Sequence, residues 1–168
     1  MHFFGQLGRG SVYWLAMIAS ALALEGIALY YQYALNQYPC VLCIHVRIWV
    51  AGFIVIGVLG LLLKRARAGL VVASFLSLGA AIGMAERSWQ TLATERGWSQ
   101  ELACNMDAGL PAWFALEEWL PAVFKVQAAC GYTPVLAFGI TMAEALVALS
   151  ALAILVTALV TAASLTTK

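Results

Sequence analysis

Four long apolar runs alternate with more polar segments along the chain. The runs cover about residues 11–31, 41–63, 69–85 and 141–165. At about 1.5 Å of rise per residue, a helix of such length crosses, or nearly crosses, a hydrocarbon layer about 30 Å thick. Backbone groups in lipid must be hydrogen-bonded within their own segment, which favours helices. The pattern predicts an all-α membrane protein, a single domain built as a four-transmembrane-helix bundle.

Composition supports the bilayer as the solvent of this chain. Of its 168 residues, 64% are hydrophobic and 10% are charged, whereas a soluble domain is about half apolar and a quarter charged. The formal net charge is +1. Such a balance gives no indication of a nucleic-acid partner.

Basic residues predict the orientation of the helices. The short link between the second and third runs, Lys64–Arg67, holds three basic residues, and Arg9 precedes the first run. Cytoplasmic loops carry an excess of Lys and Arg, so we expect this link in the cytoplasm. An even number of spans then places both termini there. The outer loops, 32–40 and 86–140, face the opposite side.

The first run has an alternative interpretation as a cleaved signal peptide. Arg9, the apolar stretch after it and Ala21-Leu22-Ala23 are typical of such a peptide, and cleavage would leave three spans. The apolar run continues past Glu25 to Tyr30, further than a cleaved segment needs. A retained first helix is therefore favoured.

The second outer loop contains a short aromatic stretch with acidic residues, at 110–120. Trp and Tyr favour the headgroup level of a membrane. The stretch predicts either a short helix on the outer membrane surface or a small core outside the membrane, and the sequence does not separate the two.

All four cysteines lie in or beside the two loops expected on the outer face, where disulfides persist. Cys40 and Cys43 form a close pair at the start of the second helix, whereas Cys104 and Cys130 lie far apart in the long loop. Three pairings are open on the sequence alone. Zinc is disfavoured, because a four-cysteine site usually has two close pairs. A structural staple remains an alternative for the close pair, but it leaves Arg47 unexplained.

Arg47 follows Cys43 by four residues and so lies on the same face of the predicted helix. A cation at membrane depth is costly and usually functional. Together with the helix N-terminus, it would stabilise a thiolate at the close pair, and it would attract a reduced quinone oxygen. The alternative is an arginine that extends to the interface.

Three further polar residues interrupt the apolar runs: Glu25, His45 and Glu144. An acid inside a membrane is a functional candidate, although a buried structural acid is the favoured interpretation of Glu25. His45 can titrate near neutral pH or serve a structural role. Glu144 is interpreted as a marker of the interface.

The chain resembles the disulfide bond formation protein B (DsbB) family from about residue 9 to residue 139. The pattern is a close cysteine pair that opens the second span, an arginine four residues later and a separated pair in the second outer loop. The matching segments are Ala21-Leu22-Ala23-Leu24-Glu25, Pro39-Cys40-Val41-Leu42-Cys43-Ile44 with Arg47, Arg87 with Trp89-Gln90, Cys104, Trp119-Leu120-Pro121 with Val123-Phe124, and Cys130.

This resemblance implies an enzyme of the bacterial inner membrane, a protein-dithiol:quinone oxidoreductase. Such an enzyme reoxidises a periplasmic DsbA-like thiol oxidase and passes the electrons to ubiquinone or menaquinone. The resemblance further implies a Cys104–Cys130 disulfide that meets the partner, with Cys104 held in the mixed disulfide, and a Cys40–Cys43 disulfide beside the quinone.

On the quinone side, the resemblance implies Cys43 next to the ring, Arg47 as the cation and Arg87 as a second candidate for binding. The chain also departs from the family pattern. Residues 131–135 lack a usual tryptophan, Ala143 and Ala145 stand where proline and tryptophan are common, and the segment from Arg87 to Cys104 is long. We expect these departures to affect the partner contact surface more than the redox core.

Three other functions compete with this hypothesis. A vitamin K epoxide reductase-like enzyme also combines four spans, a close cysteine pair and a quinone, but its close pair follows the loop pair. A small proton-coupled transporter would use Glu25 as the carrier acid and leave the cysteines of the long loop unexplained. A structural membrane subunit would show no redox response.

Overall fold

The computed structural model describes residues 10–98, 107–137 and 139–166. In chain order the elements are α1 (Ser11–Ala34), α2 (Val41–Leu63), α3 (Arg67–Glu95), a 3-10 turn (Ala112–Phe114), α4 (Leu116–Trp119), α5 (Pro121–Phe124), β1 (Val135–Ala137), β2 (Ile140–Thr141) and α6 (Met142–Thr166). Within the described residues, four helices, α1, α2, α3 and α6, are long and apolar enough to cross a membrane. The predicted all-α architecture with four membrane helices is confirmed.

The third long helix extends well beyond the apolar run that predicts it. Helix α3 ends at Glu95 rather than near Ala85, because residues after the first charges still bury a face of the helix through Ser88, Thr91 and Thr94. The long outer loop is therefore shorter than predicted. Arg87 consequently lies inside α3 and not in the connection after it.

Helix α3 lies at the centre of the bundle, where it packs against both α2 and α6, while α1 packs against α2. Small residues permit the close approach, as is typical of membrane helices. A side chain at Gly83 would meet the ring of Trp49, and one at Gly60 would meet the ring of Trp14. These contacts fix the helices' relative positions beneath the cysteines.

The basic link between α2 and α3 also connects the outer helices of the bundle. Lys64 Nζ donates a hydrogen bond to Ser11 Oγ at the start of α1. Arg67 Nη2 donates to the backbone oxygen of Leu165 near the end of α6, at 3.2 Å. The link therefore connects α1 and α6 at the end of the bundle that lies opposite the cysteines.

The stretch at 110–120 does not form one continuous helix. It divides into the 3-10 turn and α4, and the extended backbone of Leu120 separates α4 from α5. Trp113 and Trp119 are exposed, whereas Leu110 and Leu116 pack against a buried cluster at the start of α2. The inner side of the stretch is therefore packed while its tryptophans are exposed, and the choice between a membrane-surface helix and a small extramembrane core stays a prediction.

A short antiparallel hairpin, β1–β2, precedes α6 where the sequence predicts only loop. Glu95 at the end of α3 accepts hydrogen bonds from Thr133 Oγ1 at 2.6 Å and from Thr141 Oγ1 at 3.2 Å. The neighbouring Arg96 pairs with Glu144 in the first turn of α6. The extended end of α3 thus holds the hairpin in place.

Candidate redox site

The close cysteine pair forms the start of α2. Cys40 caps the helix, since its sulfur accepts a hydrogen bond from the backbone N–H of Cys43 at 3.4 Å. The preceding Pro39 restricts the backbone at this point. The two sulfurs lie 2.8 Å apart, and both residues are free cysteines in the structure. The predicted Cys40–Cys43 disulfide therefore stays a prediction.

Cys130 joins this pair from the far end of the long loop. Its thiol is hydrogen-bonded to Cys40, and the two pack in one cluster. The backbone N–H groups of Gln127 and Ala128 donate to the carbonyl of Pro39 at 3.0 and 3.2 Å, which holds the loop against the start of α2. Cys104 lies outside the described residues, so its predicted bond to Cys130 stays a prediction.

The hydrogen bonds among the sulfurs give the two contacting thiols opposite pKa shifts. A hydrogen bond from Cys40, with further bonds from the backbone N–H groups of Leu42 and Val41, lowers the pKa of Cys130 to about 7, although burial opposes the shift. The same bond to Cys130, a bond to Cys43 and burial raise the pKa of Cys40. In the reduced protein, Cys130 is therefore ionised more readily than Cys40, whose sulfur lies beside it.

Arg47 is buried rather than extended to the interface, with 7% of its surface exposed. Its Nη1 donates to Gln32 Oε1 at 2.7 Å and to the backbone oxygen of Val123 at 2.8 Å, and its Nη2 donates to the backbone oxygen of Ala28 at 3.1 Å. The interpretation of this arginine as an interface anchor is therefore wrong, because its charged group is held inside the protein.

Gln32 is the residue of this site that the sequence reasoning missed. It lies one position beyond the predicted end of the first span, is almost fully buried, and also donates to Gln127 Oε1 at 3.2 Å. A polar residue that directly follows an apolar run usually marks the membrane interface, so Gln32 was not recognised as part of the site. Its position two helical turns after Glu25 was the available signal that α1 continues.

A cavity of about 230 Å³ adjoins Cys43 and Arg47. Its wall is mainly apolar and comes from α1, α2, α6, one residue of α3, the first loop and the segment between Cys130 and α6. Glu25 also lines it, and neither carboxylate oxygen has a hydrogen-bond partner among the described residues. Other lining residues include Leu24, Tyr31, Val46, Val50, Tyr132, Thr133, Pro134, Leu136, Ala145, Leu146 and Leu149.

This wall includes several of the positions at which the chain departs from its family pattern. Residues 132–134 and Ala145 line the cavity, and Ala143 is fully buried. We expected the departures to affect the partner surface more than the redox core. The structure places part of them beside the cavity, because the segment before α6 lines it together with residues of α1 and α6.

Arg87 and His45 line a different cavity, of about 400 Å³. Arg87 Nη1 donates to Gln90 Oε1 at 2.9 Å, and His45 Nε2 is hydrogen-bonded to the backbone oxygen of Ala108 at 2.8 Å. The structure therefore does not bring Arg87 to the cavity of Cys43 and Arg47. His45 therefore connects α2 to Ala108 in the long outer loop.

Four membrane-spanning helices, with cysteines gathered at one end beside an apolar cavity, define a multi-pass membrane protein equipped for thiol oxidation and reduction. A family model described as "Disulfide bond formation protein DsbB" matches residues 10–160. The chain therefore belongs to the DsbB family, as the motif resemblance predicted.

Several relatives support this assignment over most of the chain. A disulfide bond formation protein B of Photorhabdus laumondii is 32% identical over 160 residues, which cover 95% of this chain and 94% of that protein. Disulfide bond formation protein B 2 of Pseudomonas aeruginosa is 33% identical and covers 71% and 72%, respectively. A Shewanella sp. relative is 33% identical and covers 84% and 81%.

Proposed function

We propose that the protein is a protein-dithiol:quinone oxidoreductase that reoxidises a periplasmic DsbA-like thiol oxidase in the bacterial inner membrane. The observation that carries this proposal is the sequence of contacts from Cys130 to Cys40, from Cys40 to Cys43, and from Cys43 into the cavity beside Arg47. The cysteine end of the bundle faces the periplasm, and both termini and Lys64–Arg67 lie in the cytoplasm.

The outer exchange takes place at the Cys104–Cys130 disulfide. A partner thiolate attacks Cys104, so that one sulfur–sulfur bond forms with the partner, the bond to Cys130 breaks, and Cys130 leaves as a thiolate. Hydrogen bonds from the backbone N–H groups of Leu42 and Val41, which do not depend on the redox state of Cys40, lower the pKa of Cys130 and favour its departure as a thiolate. The second partner thiol then displaces Cys104 and completes the oxidation of the partner.

The inner exchange links the two cysteine pairs through Cys130 and Cys40. The Cys130 thiolate attacks Cys40 of the Cys40–Cys43 disulfide, and Cys43 leaves as a thiolate. The contact between Cys130 and Cys40 supports this direction of attack. Cys104 then displaces Cys40 from Cys130, which restores the outer disulfide and leaves Cys40 and Cys43 reduced.

The residues around the cavity fit a quinone. A quinone ring is flat and mainly apolar and carries two polar oxygens, and the cavity offers apolar walls with a buried guanidinium and an acid. Arg47 and Cys43 would hold its ring. A bound quinone supplies an acceptor for two electrons and two protons. Arg47 stabilises negative charge on both the Cys43 sulfur and a reduced oxygen, at a depth where few water molecules screen it.

The test is a reconstituted reaction with purified protein, a reduced DsbA-like dithiol protein and ubiquinone-1, followed by the ultraviolet absorbance of the quinone. We expect one quinone consumed for each partner disulfide formed. Cys43→Ala should abolish quinone consumption, while Cys104–Cys130 still reacts once with the partner. Partner oxidation without quinone consumption in the unaltered protein would contradict the proposal.

A further inference from the structure

Glu25 is the buried titratable group at this site to which the proposed function gives no role. Both of its carboxylate oxygens are buried and lack a hydrogen-bond partner among the described residues, although the side chain lines the cavity that Cys43 and Arg47 share. A structural acid inside a membrane protein is normally paired or hydrogen-bonded, because an unsatisfied carboxylate is costly there. Of the buried structural acid that the sequence favours, protonated or paired, the structure therefore excludes the paired form among the described residues.

We propose that Glu25 carries a proton in the resting protein and donates it to the reduced acceptor bound in this cavity. The inference rests on the proposed quinone-linked function and assigns a catalytic residue within it. The hydrogen bonds of Arg47 to Gln32, Val123 and Ala28 leave Glu25 without a direct bond to the guanidinium. The acid is thus available to a ligand in the cavity.

The proton balance of the reaction includes a transfer that such a group can perform. When Cys40 and Cys43 form their disulfide, the two thiols lose two electrons and two protons. Glu25 would give its carboxyl proton to one oxygen of the acceptor and regain one of the two thiol protons, while the other thiol proton would go to the second oxygen. Both electrons and both protons then leave with the hydroquinone, and Glu25 is again protonated.

Few other groups at the cavity can take this part. Besides Glu25, its titratable or charged lining residues are Cys43 and Arg47 from α2, Tyr31 from α1, Tyr38 from the first loop and Tyr132 from the second. Arg47 stays protonated in proteins, and Cys43 is the electron donor. Tyrosines ordinarily hold their protons near neutral pH, so Glu25 is the group suited to giving and regaining one.

The experiment compares Glu25→Gln, which keeps the shape and removes the acid, with Glu25→Asp, which keeps the acid. Glu86→Gln is the matched control, because Glu86 is an exposed acid in α3 that does not line the cavity. Three quantities are measured in full-length protein: reoxidation of Cys40–Cys43 by ubiquinone-1 in a single turnover at several pH values, ubiquinone-1 affinity, and the infrared band of protonated carboxyl groups without quinone.

We expect Glu25→Gln to slow reoxidation at least about 100-fold, as is typical when a general acid is removed, to keep ubiquinone-1 affinity within about threefold, and to lose an infrared band that the control retains. Glu25→Asp should recover part of the rate. A rate within about threefold of the unaltered protein, a loss of affinity as large as the loss of rate, or an unchanged infrared band would each overturn the inference.

Two further outcomes of the experiment can be distinguished from the results above. If the unaltered protein does not consume ubiquinone-1, the proposed function fails and this inference fails with it. If Glu25→Gln does not fold, the pH profile of Glu25→Asp decides: a profile displaced from that of the unaltered protein supports the proton donor, and a superimposable profile overturns it.

Discussion

Arg47 donates a 2.7 Å hydrogen bond to Gln32 Oε1, which joins α2 to α1 directly beneath the loop that carries Cys130. The same Nη1 also reaches the backbone oxygen of Val123 in that loop. The guanidinium of Arg47 on α2 therefore contacts polar groups of α1 and of the extramembrane segment at once, and it does so one helical turn from Cys43.

Arg47→Ala should raise the apparent KM for quinone and slow reoxidation of Cys40–Cys43, because the cation beside both is lost. Exchange between the outer cysteines and the partner should be largely intact. Arg47→Lys keeps the charge but loses the planar fork and should fall between the two. Steady-state turnover with varied ubiquinone-1 at saturating partner measures the effect.

Arg87→Ala is the control for this prediction, since Arg87 lines the other cavity. It should leave the quinone KM nearly unchanged. If Arg87→Ala were as damaging as Arg47→Ala, or if Arg47→Ala had normal quinone kinetics, the quinone would have to bind elsewhere.

The thiol of Cys130 should react as a thiolate at neutral pH in the reduced protein. Its pKa is lowered to about 7, so alkylation by iodoacetamide should rise with pH and reach half of its maximum near pH 7. Below that pH the sulfur is protonated and slow. The rate at Cys130 is measured by mass spectrometry of its peptide after short exposures.

Cys40→Ala tests the cause of that shift. Without the hydrogen bond from Cys40, the midpoint of Cys130 alkylation should move up towards that of an ordinary cysteine, about 8.5. Cys43→Ala leaves this bond in place and is the matched control. An unchanged midpoint in Cys40→Ala would mean that the backbone N–H groups alone stabilise the thiolate.

Peptide mapping should show disulfides 40–43 and 104–130 in the oxidised protein. Cys130→Ser should trap a mixed disulfide with the partner through Cys104, because the thiol next to it is gone, and Cys104→Ser should abolish turnover with the partner. Non-reducing gels followed by mass spectrometry identify the bonded cysteines. An adduct through Cys40 or Cys43 would reverse the proposed order of exchange.

Glu95→Gln should loosen the hairpin before α6, since the carboxylate accepts bonds from both Thr133 and Thr141. Glutamine keeps an acceptor oxygen but loses the charge that strengthens both bonds, a part of the about 1.5–3 kcal/mol that each is worth, so amide exchange in residues 135–137 and 139–141 should become faster. The quinone KM should also rise, because Thr133 lines the cavity. Glu86→Gln, at an exposed position of the same helix, should change neither.

The membrane helices could be predicted because apolar runs of this length have few other structures available in lipid. The end of α3 could not, since the residues after Ala85 are mixed in polarity and form a helix only because Ser88, Thr91 and Thr94 find a buried face. The site was also hard to predict because its residues lie far apart in the sequence. Cys130 and Cys40 are 90 positions apart, and only the folded loop shows that their sulfurs meet.

The roles of individual residues also differ in how far the sequence predicts them. Arg47 was predictable from its depth and its spacing from Cys43, whereas Gln32 became visible only as a partner of Arg47. Arg87 follows the family pattern, yet its position on α3 turns it towards the second cavity. A motif therefore identified the residues, and the packing of α1 and of the long loop decided which of them share a site.

The bond between Arg47 and the backbone of Val123 has an evolutionary consequence. The segment that holds Cys130 against Cys40 and the wall of the cavity share one side chain, so substitutions selected for a new partner in that segment will also alter how tightly the cavity holds its ligand. Their effects should be epistatic rather than independent. Lineages that exchange partner oxidases are thus expected to retune their electron acceptor site through the same few residues.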